Sequence, residues 1–209
     1  MVKLDGIQNI IFDLGGVLLN LAPHRTMEEF RKLGHTSLVE ENPWNFKHEI
    51  FYKFERGLIS IDEFHSGVKG ILGNGLTNEQ IDYAWTAMLL DIPRVRAEIV
   101  MNLKKQFRTF LFSNTNAIHV EKIQSDFQNQ HGFEFPSLFE KDFYSNEIHV
   151  RKPDIESFMK VIELSGVKPE ETLFVDDFEE NIIAAQKTGL QTLWLQPGMV
   201  VEEIFSDFR

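Results

Sequence analysis

Short apolar runs alternate with longer stretches of helical period through most of the chain. Residues 7–12 (IQNIIF) run into Asp13, residues 108–112 (RTFLF) into Ser113-Asn114, and residues 172–175 (TLFV) into Asp176-Asp177. A fourth run spans residues 191–195. Runs this short, rich in Ile, Phe, Val and Leu, suit parallel strands buried on both faces. Between them the period lengthens. Pro93 can occupy the first turn of a helix, where a missing N–H costs little, and Val95, Ile99 and Leu103 then share a face. Pro153 can start the next helix, with Ile155, Phe158, Ile162 and Leu164 on its core side and Gly166 as its stop. A third helix is expected over residues 181–188, closed by Gly189. Strands alternating with helices predict an α/β fold built on a doubly wound parallel sheet.

Residues 21–91 break the alternation and read as all helix. Ser60 with Glu63, and Thr77 with Gln80, have capping-box spacing, while Pro43, Gly57 and Gly73-Asn74-Gly75 punctuate the segment. Phe46, Ile50, Phe51, Phe54, Phe64, Trp85 and Leu89 are enough apolar bulk for a small core of their own. The expected organisation is a core domain of residues 1–20 and 92–209, with residues 21–91 inserted as a helical subdomain after the first strand.

Composition narrows the function. The chain has 209 residues, 43% of them hydrophobic, which suits one domain with an insert. Thirty-two acidic against 21 basic residues give a net charge of −11, so the surface repels nucleic-acid backbones and no nucleic-acid partner is expected. There is no cysteine, which excludes disulfides, thiolate catalysis and cysteine-ligated zinc and fits a reducing, cytoplasmic setting. No apolar run is long enough to span a membrane, and the first residues do not have the pattern of a signal peptide. Oligomeric state is not encoded in any pattern here.

In open α/β sheets, ligands bind beyond the carboxyl ends of the strands. Asp13, Ser113 and Asp176-Asp177 each follow a predicted strand, and Lys152, biased towards extended backbone by Pro153, can reach the same place. Carboxylates with one further oxygen ligand suit a hard cation, and Mg²⁺ is the usual companion of phosphates. A lysine and a hydroxyl beside them can hold the non-bridging oxygens of a phosphoryl group, and a carboxylate that attacks phosphorus leaves an acyl phosphate for water to hydrolyse. Alone, each of these residues has a plainer role: Asp13 as a turn residue, Asp176-Asp177 and Ser113 as helix caps, Lys152 as a surface lysine, Asn181 as a helix start, His119 as a packing residue. Only their convergence would make a site.

Phe12-Asp13-Leu14-Gly15-Gly16-Val17-Leu18, Ser113-Asn114-Thr115-Asn116, Arg151-Lys152-Pro153 and Val175-Asp176-Asp177 with Asn181 resemble, in order and spacing, the four motifs of the haloacid dehalogenase-like hydrolase superfamily. The pattern Ser113-Asn114-Thr115-Asn116-x-x-His119 is similar to the branch that includes α-D-glucose-1-phosphate phosphatases. The resemblance implies a Rossmann-like core with a C1-type helical cap. It implies a Mg²⁺-dependent phosphatase acting on a small phosphorylated metabolite, a sugar phosphate such as glucose 1-phosphate among them. Asp13 would be nucleophile and metal ligand, the Gly15 carbonyl and Asp177 further ligands, and Asp176 would act on the metal through water. Ser113 and Lys152 would bind the phosphoryl group, with Gly15, Gly16, Asn114, Asn116 and His119 also lining the substrate site. One departure stands out. The position two after the nucleophile, where most family phosphatases carry an acid–base aspartate, is Gly15. Glycine transfers no proton, so two alternatives stay open: a metal-independent 2-haloacid dehalogenase, and a non-catalytic binding protein on the same scaffold.

Overall fold

The computed structural model describes residues 4–34, 48–72 and 75–208. Five parallel strands, β1 (Asn9–Phe12), β2 (Arg108–Ser113), β3 (Lys141–Tyr144), β4 (Thr172–Asp176) and β5 (Gln191–Trp194), form one sheet in the order β3-β2-β1-β4-β5. Successive strand residues go to opposite faces, and both faces are covered. Ile10, Phe12, Leu111 and Val175 join one apolar cluster with α5 (Arg94–Leu103) and α6 (Ala117–His131). Ile11, Phe110, Phe112 and Phe174 join another with α8 (Ile155–Ser165) and α9 (Glu179–Gln186), the short α7 (Ser145–Ile148) lying between β3 and α8. The sheet is therefore doubly wound, as the strand–helix alternation predicts.

Several helix details differ from expectation. The buried face of α8 is Ser157, Phe158, Val161 and Ser165, whereas Ile155 and Leu164 point outwards. Pro153 lies outside this helix, in the turn before Asp154 at the N-cap. Pro93 sits at the N-cap of α5, one residue before its first turn. Helix α9 begins at Glu179, two residues ahead of Asn181, and Gly189 follows it with φ +87°. Strand β3 has no counterpart among the predicted runs.

Between β1 and α5 lie α1 (Pro23–Lys32), α2 (Glu49–Glu55), α3 (Ile61–Leu72) and α4 (Asn78–Thr86), the helical cap. Both capping boxes form: Thr77 and Gln80 bond reciprocally at the start of α4, and so do Ser60 and Glu63 ahead of α3. Phe51, Phe54, Phe64 and Trp85 are buried together with Phe30, and Ile50 packs against them. Leu89 instead packs on the sheet core. Trp44, Phe46 and Pro43 lie outside the described residues, as do Gly73 and Asn74. Two crossing segments, paired antiparallel at Leu21 and Leu89 and tied by Ala22 N–H to the Met88 carbonyl (2.8 Å), join cap to core. No helix among the described residues is long and apolar enough to cross a membrane.

Candidate active site

The strand order reverses direction at β1: the chain first builds outward through β2 and β3, then returns to add β4 and β5 on the other side. A crevice opens at such a switch point, beyond the carboxyl ends of the strands. Asp13 follows β1 there, its N–H donating to the Val175 carbonyl (2.9 Å), and Asp176 ends the adjacent β4. One carboxylate oxygen from each of Asp13, Asp176 and Asp177 lies within 4.8 Å of the others. Residues 164 positions apart thus meet because their strands are neighbours, in register Phe12 to Val175.

Lys152 sits at the centre of this cluster, 1% exposed. Its Nζ donates to Asp13 Oδ1 (2.6 Å) and Asp176 Oδ2 (2.7 Å) and lies 5.2 and 5.3 Å from the ring centroids of Phe112 and Phe174. Burial alone would lower the pKa of the ammonium, but the charges of Asp13 and Asp176 outweigh it and hold the proton on. Asp176 spends its other oxygen on Phe178 N–H (2.8 Å) and Asn181 Nδ2 (2.9 Å), so Asn181 positions an acid rather than facing the crevice. Burial pushes the Asp13 carboxyl up to about 7; Lys152 opposes this, and Asp176 and Asp177 add to it. Burial, then the charge of Asp176, pushes Asp177 up to about 6.

Asp177 Oδ1 is buried and has no hydrogen-bond partner among the described residues. A buried carboxylate oxygen without a donor is costly, and three acids in one place repel. A divalent cation with oxygen ligands answers both, so the donor set fits Mg²⁺. Gly16 leaves the room required. Its φ is +76°, and a Cβ there would lie 2.2 Å from Asp177 Oδ2. At Gly15 a Cβ would meet Leu21 Cδ1 at 2.6 Å, so Leu21 fills the space that a side chain at that position would enter.

The second cluster of predicted residues follows β2. Ser113 is buried, and among the described residues its hydroxyl has only a long 3.5 Å contact to the Asn114 carbonyl. The Asn114 side chain clasps the Lys152 backbone both ways, donating to its carbonyl (2.8 Å) and accepting from its N–H (2.9 Å). Asn116 caps α6 by accepting from His119 N–H (3.1 Å), and also accepts from Trp85 Nε1 (3.3 Å). The buried His119 ring stacks on Trp85 at 5.0 Å, and its Nε2 bonds the Trp85 carbonyl at 3.0 Å. Both side chains therefore fasten core to cap as well as lining the crevice. Two residues absent from the predicted set also lie at the crevice, Glu55 and Arg151, paired at 2.8 Å across the cap–core boundary. In sequence Glu55 is one more glutamate at a helix end, and nothing there signals its partner.

Burial holds the His119 pKa down at about 4, against the Trp85 carbonyl, which favours the protonated ring. A base whose folded pKa is depressed stabilises the fold above its unfolded pKa and loses that contribution as pH falls through the window down to the folded value. Wild type is accordingly expected to lose about 2 kcal/mol relative to His119→Gln between about pH 7 and about pH 5, read from urea melts at both. Parallel pH dependence of the two proteins would show the ring to be solvated.

Residues 7–189 match the haloacid dehalogenase-like hydrolase family, and the chain belongs to it. It is 30% identical over 192 residues to a D-ribitol-5-phosphate phosphatase of Bacteroides thetaiotaomicron, covering 92% of this chain and 93% of that one. A sesquiterpene phosphatase of Aspergillus oryzae is 28% identical over 187 residues, 88% of each chain. Among solved structures, a HAD family enzyme of B. thetaiotaomicron in complex with magnesium and inorganic phosphate superimposes with a TM-score of 0.88 at 35% identity, covering 95% of this chain and 99% of that one.

Proposed function

We propose that the protein is a Mg²⁺-dependent phosphatase acting on a small polyol or sugar phosphate, with Asp13 as nucleophile. One observation carries this: three acids gathered around a buried lysine, one acid oxygen left without a partner, at the edge of a cavity of about 530 Å³ between core and cap. The division at residues 20/21 and 91/92 is part of the proposal, since it puts the nucleophile in the core and the far wall of the cavity in the cap. Asp13, Asp177 and the Gly15 carbonyl would hold the cation, with Asp176 behind them. When bound, Mg²⁺ supplies positive charge that screens the phosphoryl oxygens from the attacking carboxylate.

The chain's own groups do the rest. Lys152 orients Asp13, favours its ionised form against burial, and places an ammonium beside the developing charge. Asn114 fixes Lys152 by its backbone. The little-engaged Ser113 hydroxyl is available to a phosphoryl oxygen. Asp13 attacks phosphorus, the alcohol departs, and water hydrolyses the acyl phosphate. The magnesium and phosphate in the B. thetaiotaomicron enzyme support this assignment. The ribitol phosphatase supports a polyol phosphate, and the Ser113–His119 pattern supports glucose 1-phosphate. The absence of cysteine supports a cytoplasmic setting. The Asp176-Asp177 pair speaks against the metal-independent dehalogenase, which has no use for a cation site.

A second substrate class has one observation behind it. Leu19, Leu21, Phe51, Trp85, Met88 and Leu89 give the cavity an apolar wall, which a prenyl phosphate could cover. Hydrolysis of p-nitrophenyl phosphate that needs Mg²⁺ and stops with EDTA tests the reaction. A panel of ribitol 5-phosphate, glucose 1-phosphate and farnesyl phosphate tests the substrate, with kcat/KM expected to favour a hydroxylated ester by at least about tenfold. No turnover of any phosphate would leave the non-catalytic scaffold, and metal-free chloride release from 2-chloropropionate the dehalogenase.

A further inference from the structure

Gly15 leaves the phosphatase without the usual proton donor, and Leu21 occupies the space such a donor would need. An alkoxide leaving from phosphorus is a strong base, so some group must protonate it. The titratable residues among those lining the cavity are Glu49, Tyr52, Glu55, His119 and Arg151.

Most of these are committed elsewhere. His119 is neutral, and its ring is bonded to the Trp85 carbonyl. The Glu49 side chain is 73% exposed and paired with Lys53 at 2.9 Å, whose hydrogen bond and charge hold its carboxyl ionised. Tyr52 is exposed at 42% and its hydroxyl is held by Arg56 Nη1 (2.6 Å) rather than by the core segments that follow the strands, and Arg151 does not give up a proton. Buried Lys152, behind the cavity lining, holds its proton between two carboxylates.

Glu55 differs from all of them. Burial raises its carboxyl above the ordinary range, against the charges of Arg151 and Lys152. Its contact with Arg151 Nε is an ion pair without hydrogen-bond alignment, since that N–H finds no acceptor among the described residues. The other oxygen, Oε1, takes no hydrogen bond from the described residues. Two bonds register Glu55 on the core. Ser145 Oγ donates to its carbonyl (2.7 Å) and accepts from Thr115 N–H (2.9 Å), two residues past Ser113. Its charge partner Arg151 directly precedes Lys152. Glu55 is thus held beside both phosphoryl-binding segments, from the opposite side of the cavity.

We propose that Glu55 is the general acid of the reaction, supplied by the cap in place of the core aspartate that Gly15 replaces; this rests on the phosphatase function proposed above. As Asp13 forms its bond to phosphorus, the bond to the ester oxygen breaks and its electron pair takes the proton from Glu55, leaving alcohol and a Glu55 carboxylate. Water then attacks the aspartyl phosphate and gives a proton back to Glu55. A phosphate dianion entering the cavity favours the protonated carboxyl before attack, since like charges nearby oppose ionisation.

The test is leaving-group dependence. kcat/KM reports only steps up to departure of the alcohol, so it isolates the donor. Glu55→Gln is expected to lower kcat/KM on ribitol 5-phosphate by about 10²–10⁴-fold, and on p-nitrophenyl phosphate by at least about tenfold less, because nitrophenolate departs without a proton. Arg151→Met breaks the ion pair but keeps the carboxyl, and is expected to lower both substrates by one factor. Equal losses in Glu55→Gln, or the selective loss reproduced by Arg151→Met, would overturn the assignment. Should Glu55→Gln not fold by circular dichroism, wild type decides: a shallow dependence of kcat/KM on leaving-group pKa across aryl and alkyl phosphates supports a donor, and a steep one refutes it. Failure of wild type to hydrolyse even p-nitrophenyl phosphate would sink the phosphatase function itself, a distinct result.

Discussion

Asp13→Asn is expected to lower kcat/KM on p-nitrophenyl phosphate by at least about 10⁴-fold, with the fold intact. An amide is no nucleophile towards phosphorus, and it is close to the carboxylate in shape, so packing at the end of β1 is kept. Its effect on stability runs the other way. The Asp13 carboxyl is held up to about 7 by burial, with Asp176 and Asp177 adding to the effect and Lys152 opposing it. A carboxyl with a raised folded pKa contributes stability below its unfolded pKa, and that contribution is lost as pH rises through the folded value. Without metal, wild type should therefore lose stability between about pH 4 and about pH 7, by about 4 kcal/mol if this group acted alone. Asp13→Asn lacks that slope and should overtake wild type in EDTA as pH rises. Mg²⁺ should stabilise wild type and release protons, because the cation favours the ionised acid. Thermal melts with EDTA and with Mg²⁺, beside the kinetics, check both halves. A variant that retains turnover within about tenfold would remove Asp13 from the nucleophile's role.

The centre of the site was legible in the sequence because it depends on strand ends. A buried parallel strand announces itself as an apolar run, and the residue after it must lie at the carboxyl edge of the sheet. Asp13, Ser113 and Asp176 therefore had known places before any contact was known, and the structure puts the acids of β1 and β4 within one cation's reach. Strand β3 lacked that signal. It is an edge strand, exposed at Lys141 and buried only at Phe143 and Tyr144, so it never forms an apolar run. The outward faces of Ile155 and Leu164 have a similar cause: apolar residues occupy most of α8, and spacing alone did not choose between overlapping stripes.

The cap was legible as helix but not as geometry. Capping boxes are local, so they were readable. The positions of Glu55 beside Arg151, and Trp85 against His119, depend on how the cap docks, across separations of 96 and 34 residues. Docking also changes what the predicted residues do. Asn114 is engaged with the Lys152 backbone, and Asn116 with Trp85 and the start of α6. Residues chosen by motif thus divide into those at the cation site and those that hold Lys152 or the cap in place. Gly15 offers the cation site only its carbonyl: with Leu21 against it and no side chain, it moves the question of proton transfer from the core to the cap.

Lys152→Met is expected to move cation affinity and turnover in opposite directions. Methionine fills much of the same volume between Phe112 and Phe174, so little packing is lost. What disappears is the positive charge between Asp13 and Asp176. Buried acids left without it should cost about 3–5 kcal/mol in EDTA at neutral pH, since removing one partner strands the other. Mg²⁺ supplies the missing charge and also loses a repelling neighbour. It should bind more tightly than to wild type and restore about 2.7 kcal/mol at a hundredfold excess over Kd. Turnover at saturating Mg²⁺ should still fall by about 10²–10³-fold, because the cation cannot stand in for an ammonium aimed at the phosphoryl oxygens and at Asp13. Calorimetric titration with Mg²⁺ and single-turnover kinetics on the same variant separate the two. Were affinity and rate to fall together, Lys152 would be holding the acids in place for the metal rather than acting on the phosphoryl group.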